Sequence, residues 1–295
     1  MHRTLFRHHP VIGHTYVPGI RARVLHESGG YLLQTNAQGY RCRHDLASAQ
    51  GDRRRIVLAG DSYSTGDGVS DRYRYGELLE HELDIDVLNV AIPGTGVDQQ
   101  YLAWREDIVG GGVAHDLLVI AVMVSTIVRN LEHVHTWAAS TGRTLGVPKP
   151  WFELVNGRYE VRGLPVPPVV PKGSVVGPVQ PLAAALPSYD DPSNPAWQLL
   201  RGLLEQWVEE SAVPAVVIVL PLPECVEGTV DASATRARFA ELDADVIDPF
   251  DELCDGSLER RRAFRFEIDP HPTRAGHAAY ATALLPELRR RLPRR

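Results

Sequence analysis

Residues Leu117 to Val124 are apolar without a break, with Asp116 before them and Ser125 after them. A run this short and continuous suits a β-strand covered on both faces, as in a parallel sheet. Shorter strand-like runs occur at Ile56–Ala59, Val87–Ala91, Pro214–Leu220 and Val246–Ile247. Between and after them, Tyr75 to Leu83, Val97 to Val109, Trp197 to Ser211, Ser233 to Leu242 and Thr273 to Leu292 read as helices. In the third of these, Leu200, Leu203, Leu204 and Trp207 recur at helical spacing, which marks a buried stripe. Strands alternating with helices predict an α/β chain with a parallel sheet and helices on both faces.

Two regions fall outside that alternation. Residues 1–50 read as a β-rich N-terminal extension, with strands at Ile20–His26 and Tyr31–Gln34 around a turn at Glu27-Ser28-Gly29-Gly30. Residues 142–195 are dense in proline, with Val166-Pro167-Pro168-Val169-Val170-Pro171 at their centre. So long a stretch without strong periodicity is expected to be either a lid over a site or a passive insertion. The expectation is one domain over residues 1–295, a length ample for a single buried core.

Charge and cysteine usage exclude several classes. A net charge of −6 gives no global attraction to nucleic acid or an anionic membrane, so neither is expected as a partner. The basic end, Arg289-Arg290-Arg291 and Arg294-Arg295, reads as favourable charge at a helix C-terminus. Cys42, Cys225 and Cys254 are odd in number and far apart, so no disulfide framework or zinc knuckle is indicated. The first ten residues hold no apolar signal core, and the longest apolar run is too short to span a bilayer. The cytoplasm is therefore the expected location. Oligomeric state is not readable.

In an open parallel sheet, ligands bind beyond the carboxyl ends of the strands. Ser62, Gly94 and Ser125 follow the first three strands, and Asp269 and His271 lie beyond the fifth, before the last helix. Ser62 is the candidate nucleophile, which needs a base to remove its proton; it reads equally as an ordinary helix N-cap. His271 is the candidate base and Asp269 its orienting acid. Pro270 and Pro272 keep the stretch extended, so that residues two apart project to one side. The Asp269 carboxylate can then take one ring nitrogen and leave the other for Ser62. His277 is a rival base inside the last helix. The Ser62 and Gly94 backbone N–H groups are candidate oxyanion donors.

Three blocks together resemble the SGNH, or GDSL-type, hydrolase family. Gly60-Asp61-Ser62-Tyr63-Ser64-Thr65-Gly66-Asp67-Gly68-Val69 is similar to its nucleophile block. Asn89-Val90-Ala91-Ile92-Pro93-Gly94-Thr95-Gly96-Val97-Asp98-Gln99 is similar to its oxyanion-glycine block. Asp269-Pro270-His271-Pro272-Thr273-Arg274-Ala275-Gly276-His277 is similar to its acid-and-base block. The resemblance runs from about Arg55 to the C-terminus, apart from the proline-rich insertion. It implies a three-layer α/β/α flavodoxin-like sandwich with a five-stranded parallel sheet. It also implies ester, thioester or O-acyl chemistry without metal or organic cofactor, on a small-molecule or carbohydrate acyl ester.

The chain departs from the family twice. The family's third block supplies an asparagine that donates to the oxyanion, whereas here the stretch reads Val122-Met123-Val124-Ser125-Thr126-Ile127-Val128-Arg129-Asn130. Ser125 takes the expected place, and Asn130 is the alternative donor. Asp269 and His271 are also one residue closer than usual. The departures keep three functions open: a hydrolase, an acyltransferase with the same first half-reaction, and a non-catalytic binding module.

Two other patterns carry less. His133-Val134-His135 lacks a third ligand for a metal, although it follows the third strand and can face substrate. The Gly60–Gly68 loop lacks the pattern of a phosphate cradle.

Overall fold

A computed structural model describes residues 5–47, 51–138, 144–172, 174 and 181–293. Arg294-Arg295 and parts of the proline-rich stretch lie outside these.

The chain opens with two antiparallel hairpins, β1 (Phe6–His9) with β2 (Gly13–Tyr16), and β3 (Arg21–Val24) with β4 (Tyr31–Gln34). The second was expected. The first was not, because His8, His9 and His14 blur its alternation.

The α/β alternation then begins. β5 (Arg55–Ala59) leads to α1 (Ser62–Thr65) and α2 (Tyr75–Leu83), and β6 (Asp86–Asn89) leads to α3 (Val97–Ala103). The helix expected over Val97–Val109 is α-helical only to Ala103 and continues as a π-helical turn over Trp104–Val109. β7 (Leu117–Met123) runs into a 3-10 segment, Val124–Leu131. Two hairpins follow, β8 (Val134–Ala138) with β9 (Thr144–Pro148), and β10 (Trp151–Val155) with β11 (Arg158–Arg162). The proline-rich stretch, expected to be irregular, thus begins as β-structure. Its strands pair only with each other, so they bury one face weakly and show little hydrophobic periodicity.

The remaining elements are α4 (Pro195–Glu210), β12 (Ala215–Leu220), α5 (Pro223–Glu227), α6 (Ser233–Ala240), β13 (Asp245–Ile247), α7 (Phe250–Cys254), α8 (Leu258–Arg262) and α9 (Arg274–Arg291).

The central sheet has five strands in the order β6-β5-β7-β12-β13, and every pairing in it is parallel. This is the flavodoxin-like α/β arrangement the sequence implied. The order reverses at β5 and β7, because β6 and β7, joined through α3, lie on opposite sides of β5. The reversal opens a crevice at the carboxyl ends of β5 and β7. Ile56, Leu58, Val119 and Ile218 meet Tyr75, Leu79 and Leu288 from α2 and α9 on one face. Val57, Leu118, Ile120, Val217 and Val219 alternate with them and are equally buried, so the sheet is covered on both faces.

α4 buries Leu200, Leu203, Leu204 and Trp207 completely, the stripe read from its spacing, and Trp197 with them. The Trp207 ring packs 5.4 Å from Tyr101 and 5.9 Å from Trp104, locking α4 to α3. No helix among the described residues is long and apolar enough to cross a membrane.

Trp207→Ala removes a fully buried ring at that junction and leaves a cavity. The expected loss is about 3–5 kcal/mol of stability, read as a lower denaturant midpoint with an unchanged slope.

Candidate active site

Gly60, Asp61 and Ser62 turn the chain from β5 into α1. A Cβ on Gly60 would lie 2.7 Å from Ser64 Cβ, so only glycine lets the turn close. Asp61 caps α1, its Oδ1 accepting from Tyr63 N at 3.0 Å. Ser62 is the first residue of the helix and is 8% exposed. Neither its Oγ nor its backbone N–H bonds to a described residue. The N-cap role weighed for Ser62 in the sequence belongs to Asp61, which leaves the serine hydroxyl free.

Asp269 and His271 come together as their spacing predicted. His271 Nδ1–H donates to Asp269 Oδ1, and His271 N–H donates to the same oxygen at 3.0 Å. The Nδ1–H bond leaves Nε2 as the lone-pair acceptor. Tyr63 links this loop to the nucleophile turn. Its hydroxyl donates to Pro270 O at 2.9 Å, and its ring lies 5.4 Å from the His271 ring. Nucleophile, base and acid candidates thus stand on adjoining segments, but the hydrogen bond expected between His271 Nε2 and Ser62 Oγ is not formed.

Electrostatics follow from those contacts. Burial pulls the His271 pKa down. The Asp269 hydrogen bond and the charges of Asp67, Asp269 and Asp61 outweigh it, and the net direction is upward from 6.5. Burial alone would raise Asp269, yet its bonds to His271 and His26 hold it well below the usual carboxylate range. His277 stands apart from this chemistry. It is completely buried beneath Tyr75, whose N–H donates to its Nδ1 at 3.3 Å, and burial pushes its pKa down to about 3.

The N-terminal extension grips the acid. His26 Nδ1 accepts from Ser28 N–H at 3.1 Å, so Nε2–H is free to donate to Asp269 Oδ2 at 3.1 Å. The Glu27 carboxylate accepts from Ile268 N–H and Asp269 N–H. Sequence reasoning missed both residues. His26 was read as the end of a strand and Glu27 as the start of the turn after it, and nothing local ties either to residue 269.

The loop that carries Gly94, the candidate oxyanion glycine, follows β6. Gly94 has φ +73°, the left-handed region, and its N–H has no partner among the described residues. A Cβ there would come within 2.7 Å of the Trp137 indole. His14 Nε2–H donates to Pro93 O at 2.8 Å and holds the loop from the N-terminal side.

The two candidates for the third donor are turned away. Ser125 Oγ is on Met123 Sδ at 2.8 Å. Asn130 Oδ1 accepts from Asp98 N–H at 3.2 Å, and its Nδ2 donates to Ile127 O at 3.2 Å, so its amide caps α3 rather than facing the site. Arg129, between them in the chain, reaches the loops that carry Ser62 and Gly94. Its Nη1 donates to Asp61 Oδ2 at 3.4 Å and to Thr95 O at 3.2 Å. Arg129, Ser125, Glu132 and His135 line a cleft of about 500 Å³ together with Leu182 and Ala185. The paired histidines diverge. His135 bonds Glu132 at 2.6 Å in the cleft, while His133 stacks on Trp151 with centroids 4.1 Å apart. No group of three metal-ligating side chains occurs among the described residues.

No protein-family model and no curated protein matches the chain. Among solved structures it is similar to a G-D-S-L family lipolytic protein from Veillonella parvula, at 12% identity and a TM-score of 0.45, covering 79% of this chain and 97% of that one. It is similar to a lipase/acylhydrolase from Enterococcus faecalis at 13% identity and a TM-score of 0.46, covering 82% and 98%. It is also similar to a catalytic mutant of an acetylxylan esterase from Geobacillus stearothermophilus, at 13% identity and a TM-score of 0.47, covering 82% and 96%.

His26→Phe keeps a ring against Phe266 and removes the bond to Asp269 Oδ2. A hydrogen bond to a charged group contributes about 1.5–3 kcal/mol, so fluorophosphonate labelling of Ser62 is expected to slow by roughly 10- to 100-fold. An unchanged labelling rate would separate His26 from the acid's function.

Proposed function

We propose that this chain is a serine hydrolase of the SGNH type, cleaving an ester, thioester or O-acyl group through an acyl-enzyme on Ser62. One observation carries the reading. An imidazole held through Nδ1 by a carboxylate packs against the residue next to a serine whose hydroxyl is unengaged. That is the division of labour of a nucleophile, base and orienting acid.

The chemistry then runs in two halves. Ser62 Oγ attacks the acyl carbon as His271 Nε2 takes its proton, and the carbonyl electron pair moves onto oxygen. The Ser62 and Gly94 N–H groups are available to that oxyanion. Collapse expels the alcohol or thiol, which leaves with the proton from His271. Water, deprotonated by the same imidazole, then attacks the acyl carbon, and the imidazolium returns the proton to Ser62 Oγ as the ester bond to it breaks and the acid leaves. Asp269 keeps the tautomer and stabilises the imidazolium.

Ser62→Ala is expected to abolish turnover of a short-chain nitrophenyl ester, with the variant still folded. Equal activity in the variant would end the hydrolase reading. A wild-type acyl adduct that persists in buffer and discharges only when an alcohol is added would assign acyl transfer instead.

The pH dependence follows from His271. The reaction needs the neutral ring, and the ring's pKa lies above 6.5. The acid limb of kcat/KM is therefore expected to rise with a midpoint above pH 6.5. Asp269→Asn removes the carboxylate that raises it, so the limb moves to lower pH and the plateau falls, on the order of 1000- to 10,000-fold. A limb that stays in place in Asp269→Asn would detach the acid from the base.

A further inference from the structure

The Ser62 and Gly94 N–H groups make two oxyanion donors, and the side chains expected to supply a third are committed elsewhere. Ser125 is on Met123 Sδ, and Asn130 bonds on both sides of its amide. Arg129 sits between the two donor loops. Through Nη1 it reaches Asp61, the residue before Ser62, and Thr95, the residue after Gly94. Gly96 admits it: a Cβ there would stand 3.3 Å from Arg129 Cβ and 2.8 Å from Asn130 Oδ1, so only a bare backbone lets the Val124–Leu131 turn lie this close.

A guanidinium is planar and its five N–H groups form a fixed fork. Two bonds at Nη1 therefore set the direction of the rest. Nη2 and Nε have no partner among the described residues, and the side chain lines the cleft beside Ser125. Its ion pair with Asp61 is largely buried, with 15% of the arginine side chain and 1% of the aspartate side chain exposed. The site therefore presents an anchored cation with spare donors beside the turns that carry Ser62 and Gly94.

We propose that Arg129 is the third oxyanion donor of this site, a catalytic residue whose free guanidinium N–H groups bond the oxygen that becomes anionic when Ser62 attacks. The proposal rests on the serine-hydrolase reading above. In the step it describes, the Ser62 Oγ–carbon bond forms and the Oγ proton passes to His271. The carbonyl π pair becomes a lone pair on oxygen, which receives N–H bonds from Ser62, Gly94 and Arg129. A charged donor bonds an anion about twice as strongly as a neutral one. Asp61 holds the fork in place before the reaction, so little reorganisation is needed during it.

The test uses the full chain with a neutral nitrophenyl ester as substrate and an alkyl boronic acid as a tetrahedral, anionic adduct of Ser62. Wild type is compared with Ser62→Ala, Arg129→Met and Arg129→Lys, each checked for a cooperative thermal transition. In Arg129→Met, kcat is expected to fall roughly 100- to 1000-fold with KM little changed, and boronate affinity to fall in parallel. Arg129→Lys keeps the charge beside Asp61 but loses the fork, and is expected to fall by about tenfold or more, which preserves the test if the methionine variant does not fold. A folded variant of either kind within about threefold of wild-type kcat overturns the proposal. So does a loss confined to KM for esters whose acyl group carries a carboxylate, which would make Arg129 a substrate-charge reader. Wild-type chain that neither turns over the ester nor forms a Ser62 adduct overturns the serine-hydrolase reading itself, a result distinct from losing Arg129 alone.

Discussion

The site is organised around one buried carboxylate. Asp61 is 1% exposed, and each of its oxygens has a separate duty. Oδ1 caps the short helix that begins with Ser62, and Oδ2 holds Arg129. Burial pushes the Asp61 pKa up, and the strongest opposing influence is the Arg129 charge, so the two residues depend on one another. A buried carboxylate deprived of its cation is costly, which binds the turn after β7 to the turn after β5. The same carboxylate adds to the negative field at His271. The Ser62 turn, His271 and Arg129 thus share one electrostatic anchor.

The N-terminal extension belongs to the same construction. Arg41 is fully buried, and its guanidinium donates to Thr65 O, Gly66 O, Val69 O and Leu32 O while pairing with Asp71. That fastens the β3–β4 hairpin to the loop following α1. The hairpin turn then reaches the acid loop through His26 and Glu27. From the other hairpin, His14 holds Pro93, beside Gly94. A segment outside the α/β alternation therefore holds the loops that carry Asp269 and Gly94. Loops are the mobile part of such sites, and a second layer of contacts is what holds them to geometry.

Legibility in the sequence tracked contact range. α2 follows its expected bounds, and α4, α6, α9 and the strands of the sheet shift by a few residues, because a doubly covered strand and an amphipathic helix announce themselves locally. The short helices α1, α5, α7 and α8 were not expected, being too brief to show a period. Asp269 and His271 were legible because two prolines and a spacing of two already impose their geometry. The hairpins β8 to β11 were not, since their strands pair only with each other and bury little. His26 was invisible for another reason. Its partner Asp269 lies 243 residues away, and no periodicity connects them. Arg129 was passed over because an arginine in a loop reads as solvated until Asp61, 68 residues earlier, is placed beside it.

By itself the sequence determined the α/β alternation, the carboxyl-end location of the polar residues, and the identity of the serine, glycine, aspartate and histidine that carry the proposed chemistry. Those properties depend on apolar runs, turn glycines and neighbours within a few positions. Tertiary structure alone decided that Asn130 caps a helix, that Ser125 turns to a sulfur, that Arg129 faces the cleft, and that the first hairpins hold the acid loop. Each of those outcomes depends on which loops the strand order brings side by side. A hydrogen bond between distant segments exists only once the sheet has assembled.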